Sequence, residues 1–122
     1  MAAVSIAFEM PENGRGSGPS QSRPIDLVHL AVQTMGDKDL EAEVLHLFAR
    51  QARAALQEMS GGPNDSVVAA AHRLRSAANA VGAFAVATAA LSVETDPDNA
   101  AARASVGATV IEAENFILKL SR

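Results

Sequence analysis

From Pro24 onward, apolar residues recur at intervals of three and four, the repeat of an α-helix buried along one face. In "KDLEAEVLHLFARQARAALQEM", Leu40, Val44, Phe48, Ala52, Ala55 and Met59 fall on one stripe, while Glu41, Arg50, Arg53 and Gln57 lie outside it. Val106, Val110, Ala113, Ile117 and Leu120 form a second such stripe near the C-terminus. Between them lie two further helical segments, one running to about Val81 and one reading "AFAVATAALSVE". A short leading helix is expected in "PIDLVHLAVQTMG", capped by Asp26 and stopped by Gly36.

The breaks carry their own signals. Asp37 can cap the long helix, with Asp39 and Glu41 near its positive end. "SGGPND" interrupts the chain, and Asp65 or Ser66 can cap the third helix. Gly82 marks a stop. In "TDPDN", Asp96 is the expected N-cap and Pro97 the first helical residue. Short connections imply antiparallel neighbours, so the expected fold is all-α: an up-down-up-down four-helix bundle with the first helix capping one end. The bundle domain is expected over residues 24–122. Residues 1–23 are expected to form a flexible tail, because "PENGRGSGPSQSRP" is rich in Pro, Gly and Ser and has no periodicity. The preceding "AVSIAFEM" reads equally as strand or helix.

Composition narrows the function. Of 122 residues, 48% are hydrophobic, but only four are Phe and none is Tyr or Trp, which favours helices packed through small side chains. The formal charge of −4, with no basic groove, argues against a nucleic-acid partner. The absence of cysteine excludes disulfides, thiol catalysis and thiolate metal sites. No apolar run approaches the roughly 18 residues of a membrane span, and "MAAVSIAFEM" lacks a basic n-region. A cytoplasmic protein without membrane attachment is expected.

The chemistry concentrates in "AAAHRLRSAANAVGAF". With His72 set at zero on a helical wheel, Asp65, Ala69, Arg75, Ser76 and Asn79 fall within about 60° of it. Val67, Ala70, Leu74, Ala77, Ala78 and Val81 gather opposite. His72 thus stands at the centre of a polar face. A neutral imidazole is a competent nucleophile. Arg75, one turn on, can offer positive charge to an anion on the ring, and Ser76 and Asn79 add neutral hydrogen-bonding groups. No acid or base is clearly aimed at a water, so hydrolysis is not indicated. Glu43 and His46 form a Glu-x-x-His pair without the second pair a di-iron bundle needs. The three histidines do not cluster, so no metal site is expected. Phe48 and Phe84 are expected in the core, Phe116 in the core or at its margin, and His29 at the surface or the end of the bundle.

The stretch "HRLRSAANAVGA" resembles the histidine phosphotransfer (HPt) domains of bacterial multistep phosphorelays. Their pattern is His-x-Leu-Lys-Gly-Ser-Ser/Ala, followed by an apolar residue and Gly-Ala. His72, Leu74, Arg75, Ala77, Ala78, Val81, Gly82 and Ala83 match in place or by type. The upstream "PIDLVHLAVQTMGDKDLEAEVLHLFARQA" is similar to the family's opening, so the resemblance spans about residues 24–121. It implies a monomeric carrier that takes a phosphoryl group on Nε2 of His72 and exchanges it with aspartates of receiver domains, free or in hybrid histidine kinases. It implies no cofactor of the chain's own, magnesium being held by the receiver. Arg75 takes the place of the family's Lys, and the surface of Val68, Ala69 and Gly82 would dock the partner. Ser76 stands where the family has Gly; its side chain takes some of the room through which a receiver approaches, or its hydroxyl instead bonds a phosphoryl oxygen. The alternative is a degenerate module that binds a receiver or kinase without being phosphorylated.

Overall fold

The computed structural model describes residues 23–121, all of it helix and connecting turn. The helices are α1 (Leu27–Gln33), α2 (Lys38–Gly61), α3 (Asn64–Val81), α4 (Phe84–Thr95) and α5 (Ala100–Leu120). The remainder of the expected tail, residues 1–22, lies outside the described residues. The α3–α4 contact is the most extensive; α2 packs on α3, α5 packs on α4 and α2, and α1 rests on α3. No helix among the described residues is long and apolar enough to cross a membrane.

The core is built largely from small side chains. Ala52, Ala70, Ala71, Ala78 and Ala90 are fully buried beside Leu74, Val67, Val93, Val106 and Val110, with Phe48 the largest member. Small side chains let helix axes approach closely, which compensates for the scarcity of aromatics. The α2 stripe holds for Phe48, Ala52, Ala55 and Met59. At its N-terminal end Leu45 takes the buried place, Val44 is half-buried and Leu40 is exposed. On α5 the stripe is buried from Val106 to Ile117, whereas Leu120, in the last turn, is exposed.

Two helix starts depart from expectation. Asp26 and Asp37 do cap α1 and α2, Asp26 Oδ1 accepting from the N–H groups of Val28 and His29 and Asp37 Oδ1 from that of Leu40. Helix α3, however, starts at Asn64 behind Pro63, ahead of Asp65 and Ser66. The fixed proline φ prepares the helical turn, and the Pro63 carbonyl already accepts from Val67 N–H at 3.0 Å. Helix α5 is capped by Asn99, whose Oδ1 accepts from Ala102 N–H at 3.1 Å. Asp96 is spent closing α4, its N–H donating to Ser92 O at 3.0 Å. Phe84 is 44% exposed, because the turn at Gly82 and Ala83 sets the phase of α4 so that Val86, Ala87, Ala89, Ala90 and Val93 face inward. Phe116 is half-buried against the core.

Gly82 fixes one end of this arrangement. Its φ of +89° is the left-handed conformation that ends α3, and its carbonyl accepts from Asp26 N–H at 2.9 Å. A Cβ there would stand 2.9 Å from the Asp26 carbonyl oxygen. The glycine therefore permits both the turn and the seating of α1.

Candidate functional site

Helix α3 presents His72 to solvent because its inward face is fully used by Val67, Ala70, Ala71, Leu74, Ala78 and Val81. The side chain is 60% exposed. Val68 and Ala69 lie one turn before His72 on the same side of the helix, and Ser76 one turn after it. Val68 is half-buried, and Ala69 and Ser76 are exposed. Asn79 is exposed on the same face but lies two turns on, ~10 Å along the axis. That is too far to hold a group carried on His72, so its expected role in stabilising a phosphoryl group is not supported by the geometry. Gly82 is also corrected as a docking residue: it is buried beneath Asp26 and His29 and offers no surface.

The residue that completes the site is Glu94, which the sequence motif does not contain. It is the sole charged residue of α4, one position from the helix end, with a side chain only 13% exposed. Close packing of α4 on α3 brings its carboxylate against the imidazole. Nδ1 of His72 lies 3.0 Å from Glu94 Oε1. Arg75 Nε donates to Glu94 Oε2, and Arg75 Nη2 donates to Oε1 at 3.2 Å. Nη2 also lies 3.2 Å from His72 Nδ1, so the three side chains form one cluster. Arg75 is thus engaged on the Nδ1 side of the ring by a carboxylate; it is not held free for an anion.

The charges around Nδ1 bear on where the ring carries its hydrogen. Arg75's hydrogen bonds hold the Glu94 carboxyl below the usual carboxylate range, with a smaller contribution from His72, although burial opposes both. The guanidinium of Arg75 is raised in turn, chiefly by its hydrogen bond to Glu94. An ionised carboxylate can only accept and a guanidinium can only donate. The 3.0 Å contact with Glu94 therefore calls for a hydrogen on Nδ1, and the 3.2 Å contact with Arg75 Nη2 for a lone pair there. Arg75 already donates to both Glu94 oxygens, and the shorter contact favours the Nδ1–H tautomer. In the neutral ring the lone pair is then on Nε2, the nitrogen for which the described residues provide no hydrogen-bonding partner. The arrangement fixes the ring through Nδ1 and leaves its other edge toward solvent. Nothing in it positions a water for hydrolysis.

The other histidines do different work. His46 and Glu43 are both exposed on α2. His29 is half-buried, its ring meeting Phe84 edge-on with centroids 5.2 Å apart. Among the described residues, no group of three or more His, Asp or Glu side chains could hold a metal ion. Sequence reasoning missed Glu94 because it lies 22 positions beyond His72 on another helix, and helix phase alone does not reveal which turns of two helices meet. The one local signal was a lone acid in an otherwise uncharged helix. No family model, no curated protein and no solved structure matches the chain.

Proposed function

We propose that the chain is a phosphorelay carrier of the HPt type, with α2–α5 as an antiparallel up-down-up-down bundle and α1 over one end. His72 exchanges a phosphoryl group with the aspartate of a receiver domain. The single observation that carries this reading is the oriented imidazole, with Nδ1 3.0 Å from Glu94 Oε1 and the ring on an exposed polar face; we take Nδ1 as the protonated nitrogen and Nε2 as the open one. In the forward step the Nε2 lone pair forms a bond to phosphorus. The P–O bond to the receiver's aspartate breaks, and its electron pair leaves with the carboxylate. No proton need be removed from the ring, because Nδ1 keeps its hydrogen toward Glu94. The ring gains positive charge, which the Glu94 carboxylate offsets. The reverse step returns the phosphoryl group to an aspartate.

The partner is a response-regulator receiver or a hybrid histidine kinase, and magnesium belongs to the receiver. Val68 and Ala69, one turn before His72, border the docking surface. A cytoplasmic location follows from this role. A second reading has its own observation: Arg75 is occupied by Glu94, and Ser76 stands beside the ring, which suits a module that binds a receiver without accepting its phosphoryl group.

The two readings separate in one assay. The chain is incubated with a phosphorylated receiver, and labelled phosphate is followed by gel and by acid and alkali stability. Carrier function predicts acid-labile, alkali-stable label that is lost in His72→Gln. Binding without label, unchanged in His72→Gln, supports the module.

A further inference from the structure

Helix α5 has two apolar faces. Ala102, Val106, Val110, Ala113 and Ile117 enter the core. On the other side Ala101, Ala104, Ala108, Ile111, Asn115 and Leu118 are all exposed, with Ile111 at 49% and Leu118 at 56%. Their spacings alternate three and four along the whole helix, the a/d seam of a coiled coil. One stripe suffices for a helix packed on a single core; the second has no partner within the described residues.

We propose that this seam binds a second copy of the chain, the two α5 helices running antiparallel about a two-fold axis. The pattern reads the same in both directions, so reversing one copy keeps every seam position opposed. In that register Ala101 faces Leu118 of the other copy, Ala104 faces Asn115 and Ala108 faces Ile111. Each small residue then meets a larger one, the alternation by which facing layers interdigitate. A parallel pair would instead set alanine on alanine over the first half of the helix. Charge agrees with the antiparallel choice. Asp98, exposed just before α5, comes level with Lys119, exposed in its last turn, at both ends of the pair.

The contact is self-complementary and isologous, as a closed dimer requires. This replaces the monomer expected from sequence. It leaves His72 open, since that residue lies on α3 while α5 packs chiefly on α4 and α2. The inference does not depend on phosphotransfer. A single helix pair falls at the small end of stable interfaces, so the dimer is reversible.

Sedimentation of the full chain from about 10 μM to about 1 mM tests it. The expected result is a concentration-dependent dimer whose Kd rises about tenfold or more in Ile111→Asp and in Leu118→Asp. Helical circular dichroism should not change, because both side chains are exposed in the single chain. The chain has no cysteine, so engineered thiols report cleanly. Ala104→Cys mixed with Asn115→Cys should cross-link on oxidation, and neither should cross-link alone. A monomer at every concentration overturns the proposal. So does a dimer indifferent to both aspartates, or cross-linking of Ala104→Cys with itself as efficient as the mixture.

Discussion

His72 and His29 are the same side chain in two opposite settings. His72 stands on an exposed face with Nδ1 bound to Glu94 and Nε2 open. His29 has its Nε2 buried with no hydrogen-bonding partner among the described residues, and its ring lies against Gly82 and Phe84. The proposed chemistry needs a lone pair that faces outward and a second nitrogen that is fixed, and the setting of His72 suits both. His29 works as a packing residue whose polar atom is a cost, because a buried unsatisfied nitrogen loses its hydration without recompense. What separates them is the neighbouring helix: α4 sends a carboxylate to His72 and an aromatic edge to His29.

The sharpest way to break the contrast is at the two imidazoles themselves. His72→Gln should abolish phosphoryl transfer while leaving thermal unfolding within a few degrees of wild type. His29→Phe should leave transfer intact, as measured with the same phosphorylated receiver. Equal transfer in both variants would dissolve the distinction.

The next largest effect falls on the His29 side. Gly82→Ala forces a Cβ to 2.9 Å from the Asp26 carbonyl at a φ of +89°. Strain and overpacking together should cost ~2–3 kcal/mol in urea unfolding. An unchanged midpoint would mean that α1 is not seated on Gly82.

Glu94→Ala comes third. Losing the group that fixes Nδ1–H should slow transfer about tenfold, equivalent to ~1.4 kcal/mol of activation free energy. The carboxyl also carries a pH signature. Its folded pKa is lowered, so its contribution to stability is fully present above the ordinary carboxylate range and is lost as pH falls through the lowered value. The stability gap between wild type and Glu94→Gln, followed by urea titration, should therefore be present near neutrality and close only in acid below about pH 4. A gap that persists unchanged in strong acid would contradict the Arg75–Glu94–His72 cluster. The smallest effect is on stability in His29→Phe, where removing the orphaned nitrogen should leave the unfolding free energy unchanged or raise it by up to ~1 kcal/mol.

Much of the fold was legible one helix at a time. The wheel placed His72 opposite the face that is buried, and Asp26, Asp37 and Gly82 act as the stops and caps that their residue types imply. Legibility failed where two segments compete or meet. Asp96 and Asn99 are both good caps, and which one starts α5 depended on Asp96 already closing α4. Phe84 has the composition of a core residue, but its burial depended on the phase set by the turn before it. Glu94 was beyond reach for the same reason, since its meaning comes from a contact between α3 and α4. The second stripe of α5 was present in the text, and its consequence emerged only when the first was seen to fill the core.

The orientation of the His72 ring can be measured directly by long-range nitrogen–proton NMR on chain labelled with ¹⁵N-histidine. The geometry predicts that, once the ring is neutral, the hydrogen resides on Nδ1, and that Glu94→Gln weakens this preference. A neutral His72 with its hydrogen on Nε2, unaffected by Glu94→Gln, would contradict the account, because the nitrogen assigned to receive the phosphoryl group would then have no free lone pair.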